Sequence, residues 1–238
     1  MKTIGLLGGM SWESTVGYYR AINEGVKRQL GGLHSAKIAM ISVDFSPIET
    51  MQQRGDWTAM GELLAAAAVN VEAAGADCLL ICTNTMHRVA PEVAAAINIP
   101  LLHIADATAH ELQRAGVQRV GLLGTAFTME QAFYKDRLRE RFGLDVLTPA
   151  ANDRAIVHRV IYDELCQGKI QPGSRAEYLR IIDELVKRGA EAVILGCTEI
   201  GLLVEQHHTQ TQLVDTTAIH AASAVEFALA DSVDDEAS

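Results

Sequence analysis

The chain repeats itself at long range. Gly5-Leu6-Leu7-Gly8 recurs as Gly121-Leu122-Leu123-Gly124, an offset of 116 residues. Gly75-Ala76-Asp77, leading into Leu79-Leu80-Ile81-Cys82-Thr83-Asn84-Thr85, recurs as Gly189-Ala190-Glu191 leading into Val193-Ile194-Leu195-Gly196-Cys197-Thr198-Glu199, an offset of 114. Solenoid repeats have periods of about 20–50 residues, so spacing this long means a duplicated domain. The 238 residues, 49% hydrophobic and 21% charged, suffice for two small globular domains with real cores. Superposing the copies puts Thr83 on Cys197. If the copies face each other, those side chains approach one cleft from opposite sides.

Short apolar runs alternate with helical patterns throughout. Strands are expected at Thr3–Leu7, Lys37–Val43, Cys78–Cys82, Leu101–Ile104, Arg119–Leu123, Asp145–Leu147, Ala192–Gly196 and Leu213–Val214. Helices are expected at Ser14–Leu30, Trp57–Ala74, Pro91–Ile97, Asp106–Ala115, Met129–Phe142, Asn152–Gln167, Ser174–Arg188 and Ala218–Ala230. This cadence predicts an α/β protein of two pseudo-symmetric parallel-sheet domains, each with about four strands and helices on both faces, and the active site in the cleft between them. The first domain is expected to be discontinuous, residues 1–99 plus 208–238, and the second to span 100–207. The acidic tail Asp231–Ser238 is expected to fray.

Ligands of such sheets sit beyond the carboxyl ends of the strands. The residues there are Gly8-Gly9-Met10-Ser11, Asp44-Phe45-Ser46, Thr83-Asn84-Thr85, Thr125–Thr128 and Cys197-Thr198-Glu199. All but the second are expected to open a helix, leaving backbone N–H groups for an anion. Gly8 and Gly9 either allow a tight strand-to-helix turn or bind a small carboxylate through their amides. They fit neither the dinucleotide nor the phosphate-loop glycine pattern.

A net charge of −10 and no Lys/Arg block argue against nucleic acid as a partner. The apolar run Leu63–Val71 is too short for a membrane span, and Lys2 followed by a strand pattern is no signal peptide. Four scattered cysteines predict a cytoplasmic protein with reduced thiols and no disulfide scaffold. No cluster has zinc-ligand spacing, so no metal is expected. No G-x-S-x-G elbow supports a serine hydrolase.

Cys197, heading a helix, is the expected reactive thiol, its thiolate favoured by the dipole and nearby N–H groups. Cys82 should turn to the opposite face of its strand, and Cys78 and Cys166 read as core or helix-face residues. His87 is expected to orient Asn84 or meet the pocket rim. His103, His158, His207, His208 and His220 show no spacing that marks a function. Arg54, placed on a loop after the second strand, is either a clamp for a substrate carboxylate or a solvent-facing cation.

Ile4-Gly5-Leu6-Leu7-Gly8-Gly9-Met10-Ser11, Cys82-Thr83-Asn84-Thr85-Met86-His87 and Gly196-Cys197-Thr198-Glu199 together resemble the aspartate/glutamate racemase superfamily across essentially the whole chain. The likeness is nearest to the branch described as L-aspartate/glutamate-specific or broad-specificity amino-acid racemases. It implies an isomerase that racemises an amino acid without a cofactor, between two α/β domains, in a homodimer. It implies Thr83 and Cys197 as the catalytic pair, with Met10, Gln52, Asn84, Thr85, Thr125 and Thr128 against the substrate. Thr83 stands where the commonest family pattern has cysteine, a change associated with one-handed substrate preference.

The α-proton of an amino acid is weakly acidic, so the site must stabilise charge developing on the substrate carboxylate. The hydroxyls of Thr85, Thr125 and Thr198 are the expected donors. Cys197 is expected to take the proton from the L-substrate and Thr83 to return one. A single-cysteine decarboxylase or isomerase on the same scaffold, or a non-catalytic amino-acid binding protein, are the competing readings. Aspartate, glutamate, homoserine and other amino acids all remain open as substrate.

Overall fold

The computed structural model describes residues 1–230; the acidic tail at 231–238 lies outside the described residues. The chain divides into two compact units, residues 1–104 with 220–230, and residues 105–219. Both are parallel sheets flanked by helices.

The first unit runs β1 (Thr3–Gly8), α1 (Trp12–Leu30), β2 (Lys37–Ser42), α2 (Phe45–Arg54), α3 (Trp57–Ala73), β3 (Cys78–Ile81), a 3-10 turn (Thr85–Val89) and α4 (Ala90–Ala95). Its strands lie in the order β2-β1-β3. The chain then enters the second unit through α5 (Ile104–Arg114), followed by β4 (Arg119–Gly124), α6 (Ala126–Glu130), α7 (Ala132–Phe142), β5 (Asp145–Leu147), α8 (Ala151–Asp163) and α9 (Pro172–Lys187). β6 (Ala192–Gly196), α10 (Ile200–Leu203), β7 (Gln212–Asp215) and α11 (Thr216–Leu229) complete it, with the chain passing back into the first unit within α11. The second sheet has the order β5-β4-β6-β7.

Strand alternation sorts the first sheet's side chains. Leu7, Leu79 and Ile81 pack with Met60, Leu64 and Val71 of α3. Ile4, Leu6, Leu80 and Cys82 face the other way, onto Tyr18, Ile22 and Val26 of α1 and Ala224 and Val225 of α11. In the second unit Leu123, Val193 and Leu195 pack on α8 and α9 through Val157, Ile181 and Leu185.

The duplication extends to packing detail. A Cβ on Gly5 would stand 2.7 Å from Val71 of α3, and one on Gly121 2.9 Å from Leu185 of α9. Asp77 accepts the Thr3 N–H at 2.6 Å, and Glu191 accepts the Gln118 N–H at 3.0 Å. Gly75 and Gly189, which end the helices before these strands, both have positive φ, 88° and 98°, a backbone only glycine adopts without strain.

Three expectations need correction. The fourth strand of the first unit, expected at Leu101–Ile104, is one bridge between Leu101 and Leu79. Pro100 offers no N–H and α5 begins at Ile104, so only the Leu79 N–H to Pro100 C=O and Leu102 N–H to Leu79 C=O bonds form. Phe45–Arg54 is a helix where a loop was expected, so Asp44-Phe45-Ser46 does open one. Asp44 caps it by accepting the Ser46 N–H at 3.1 Å, and Gly55 ends it in the left-handed region. The helix expected over Met129–Phe142 is two helices, separated by the extended backbone of Gln131.

His220 is fully buried, and its ring links Tyr18 Oη at 2.9 Å to the Leu102 carbonyl at 2.7 Å. Leu102 C=O can only accept, so Nε2 carries the proton and Nδ1 accepts from Tyr18. Burial lowers its pKa from 6.5 to about 4. The unfolded chain therefore binds this proton first, and stability falls as pH drops from 6.5 towards 4. One group shifted this far contributes about 3 kcal/mol. Urea titrations across that range should show the decline, and His220→Gln should flatten it.

Gly5→Ala should cost about 1–3 kcal/mol, and more than Gly121→Ala. The new methyl at Gly5 would lie 2.5 Å from the Cys78 carbonyl, a backbone atom, whereas at Gly121 it meets the mobile end of Leu185. Equal urea midpoints for the two variants would contradict this reading.

Candidate active site

The residues singled out from the sequence stand beyond the carboxyl ends of the inner strands. In the first unit β1 leads to Met10, β3 to Thr83, Asn84, Thr85 and His87, and α2 carries Gln52 and Arg54. In the second, β4 leads to Thr125 and Thr128, and β6 to Cys197, Thr198 and Glu199.

The turn after β1 is clamped by the first turn of α1. The Gly9 N–H donates to Thr15 Oγ1 at 2.8 Å, and the Ser14 and Thr15 hydroxyls both donate to the Ser11 carbonyl at 3.0 Å. A Cβ on Gly8 would lie 2.4 Å from Thr15, and one on Gly9 2.2 Å from the Val43 carbonyl. These glycines serve close packing, and the Gly9 amide is committed to Thr15. Met10 is buried beside Leu7 and Ile48 in the α3-side core.

Gln52 is buried on α2 while Arg54 is exposed. Two residues of helix separate them by roughly 200°, so they project in opposite directions. Arg54 is the last residue of that helix and lies on its solvent side, not on a loop.

Alternation along β3 and β6 sets what emerges from each. Val193 and Leu195 face α9, and Cys197 lies in the same core; Leu79 and Ile81 face α3, and beyond them the chain turns at Cys82, where the Thr83 N–H donates to the Ile81 carbonyl at 2.8 Å. Cys82 belongs to the opposite core, where burial pushes its thiol far up. Cys78 shares that core and is raised to about 11 by burial. Thr83 is half-buried, and Asn84, Thr85 and His87 are buried. His87 Nδ1 is 2.8 Å from the Thr83 carbonyl, and its Nε2 accepts the Ile104 N–H at 3.2 Å.

In the second unit Thr125 caps α6, accepting the Thr128 N–H at 3.3 Å, with the two hydroxyls also 3.3 Å apart. His158, unmarked by spacing, accepts the Ala126 N–H at 3.1 Å, and burial lowers its pKa. A neutral ring is what that bond requires.

Glu199 is the buried centre of the β6 turn. Its Oε2 accepts from Cys197 Sγ at 2.9 Å and from Thr198 Oγ1 at 2.8 Å, and its Oε1 lies 3.8 Å from Cys166 Sγ. Cys166 arrives from the segment between α8 and α9, so no sequence spacing signals this grouping. The expected thiolate at Cys197 is not what this environment favours. α10 has four residues, too few for a substantial dipole, and Cys197 is buried. Burial first, then the Glu199 charge, push its thiol well above the ordinary range. It stands as a protonated thiol bonded to a carboxylate. Among the described residues no group of three or more His, Cys, Asp or Glu is placed to hold a metal, and no helix is long and apolar enough to cross a membrane.

Two duplicated parallel-sheet units, with a threonine and a cysteine at matched strand ends, define the class. The chain belongs to the Asp/Glu/hydantoin racemase family, whose profile matches residues 7–224, and so stands among the isomerases. It is similar to a candidate Asp/Glu racemase from Yersinia pestis, with 53% identity, TM-score 0.89, and coverage of 96% of this chain and 100% of that one. An aspartate racemase homologue from Pyrococcus horikoshii is 33% identical, with TM-score 0.83 and coverage of 96% and 99%. The broad specificity amino-acid racemase RacX of Bacillus subtilis is 22% identical over 95% of this chain and 98% of its own length.

Glu199→Gln removes the carboxylate charge beside the thiol and should lower the Cys197 pKa. Alkylation of the Cys197 peptide by iodoacetamide at pH 8, followed by mass spectrometry, should be severalfold faster in the variant. Slower alkylation would show that Glu199 favours the thiolate.

Proposed function

We propose that this protein racemises an amino acid of the aspartate/glutamate class, using Cys197 and Thr83 on opposite faces of the α-carbon. The observation that carries the reading is the matched placement of these two side chains at the ends of duplicated third strands. The family and the racemases among its relatives support it.

In this mechanism the Cys197 proton passes to Glu199 Oε2, its hydrogen-bond acceptor. The thiolate then takes the α-proton of the L-substrate. The electron pair left on the α-carbon delocalises onto the substrate carboxylate, which the Thr85 and Thr125 hydroxyls stabilise by hydrogen bonding. A solvent proton, relayed by water through the Thr83 hydroxyl, arrives on the opposite face and gives the D-product, and Glu199 releases its proton to solvent beside the reprotonated Cys197 thiol. A threonine hydroxyl ionises far outside the working pH range, so the D-substrate, whose α-proton faces Thr83, turns over with the lower kcat, while an equilibrium constant of one ties kcat/KM for the two directions together. Thr198 Oγ1 donates to Glu199 and can turn to substrate only by giving up that bond.

Incubating L- and D-aspartate, glutamate and homoserine in D₂O and following the α-proton by NMR tests the reading. L-Aspartate or L-glutamate should exchange fastest, and Cys197→Ser should abolish the exchange; persistent exchange in that variant removes Cys197 from the reaction. Thr83→Cys should raise kcat for the D-substrate. Thr85→Val should lower kcat/KM by about 10²–10³.

A further inference from the structure

His87 is buried beside the β3 turn and hydrogen-bonded at both ring nitrogens, and the proposed chemistry does not use it. Two of its ring contacts fix its tautomer. The Ile104 N–H can only donate, so Nε2 presents its lone pair; the Thr83 carbonyl can only accept, so Nδ1 carries the proton. The neutral ring thus ties Thr83 to the first residue of α5. That residue follows the segment whose Leu102 N–H and Pro100 C=O bond back to Leu79 of β3. The hydrogen bonds close a ring: β3, the turn from Thr83 to His87, the imidazole, Ile104, and β3 again. The His103 and His220 rings, 4.5 and 5.8 Å from that of His87, fill the space around it. His220 is pinned in turn by Tyr18 and Leu102.

Thr83 is held on both sides of its Cα. Its N–H donates to the Ile81 carbonyl at 2.8 Å, and its carbonyl accepts from His87. Fixing both peptide planes fixes φ and ψ, and with them the direction of the Cα–Cβ bond and the χ1 rotamers open to the Thr83 hydroxyl. Cys197 is held differently: its thiol donates to Glu199, on its own turn.

We infer that His87 is a positioning residue for proton return: through the Thr83 carbonyl it aims the Thr83 hydroxyl, and so decides how often a substrate carbanion is inverted and how often it is returned to its original hand. The inference rests on the assignment of Thr83 to proton return. It separates two outcomes that an ordinary rate assay merges. After Cys197 removes the α-proton in D₂O, deuteration from the Cys197 side gives labelled L-amino acid, and deuteration from the Thr83 side gives labelled D-amino acid.

The experiment incubates the full-length protein with L-aspartate in D₂O and measures both labelled enantiomers by mass spectrometry after chiral derivatisation. His87→Ala should lower the ratio of labelled D to labelled L product by about tenfold or more, since misplacing a reacting group by about 1 Å costs up to 10²-fold. Total α-deuterium uptake should stay within about threefold of the parent. His87→Asn, whose side-chain amide can still donate to the Thr83 carbonyl, should restore most of the ratio. His87→Gln, which can reach Ile104 but not Thr83, should not. Circular dichroism checks that each variant is folded, and the Asn/Gln contrast stands even if the alanine variant is not. A parallel fall in both products at constant ratio, or equal behaviour of the Asn and Gln variants, overturns the inference while leaving the racemase reading intact. Absence of any labelled D-product from the parent protein with L-aspartate and with L-glutamate overturns both.

Discussion

The close seat of one helix on the first strand of each unit is the constraint on which the rest depends. Gly5 and Gly121 have no side chains, so Val71 of α3 and Leu185 of α9 occupy the space a Cβ would need. With the helix seated there, the third strand joins in fixed register, Gly5 opposite Leu79 and Gly121 opposite Val193. Alternation along that strand puts Leu79 and Ile81 on the helix-covered side in one unit and Val193, Leu195 and Cys197 in the other, with Thr83 just past the turn that ends the first. A one-residue slip would present Cys82 in place of Thr83. The two residues proposed to act are thus chosen by packing at the far end of their strands.

The surroundings of the two differ although the scaffold is repeated. Cys197 lies in a buried turn with a carboxylate within hydrogen-bond distance, which makes thiol and acid a pair able to share a proton. The Thr83 turn is organised by a neutral imidazole acting on the main chain. The asymmetry fits a reaction in which one side works as a thiol that must first hand its proton to a carboxylate, and the other as a hydroxyl that relays one.

Much of this was legible in the sequence. The duplication, the β/α cadence and the parallel sheets followed from spacing and apolar runs, and two strands, Asp145–Leu147 and Ala192–Gly196, match residue for residue. What failed did so for local reasons. Helix α2 was missed because its buried face carries a polar residue, Gln52, one turn after Ile48, which breaks the apolar period; the signal available was Asp44 as a cap before Ser46 and Pro47. The fourth strand of the first unit was overcalled because Leu101 and Leu102 look like strand, yet Pro100 and the start of α5 leave room for a single bridge. The chemistry of Cys197 was misread because a helix start is visible in sequence while its one-turn length, the burial and the approach of Glu199 are not. Cys166 and His158 reach their partners only through tertiary folding.

The central claim is that a sulfur and a hydroxyl stand on opposite faces of one carbon atom. A crystal structure of the Cys197→Ser variant with L-aspartate bound tests it directly. The account predicts the residue 197 side chain and Thr83 Oγ1 on opposite sides of the substrate Cα, each within about 3–3.5 Å or one bridging water of it. Both groups on the same face, or Thr83 turned away from the ligand, would contradict it.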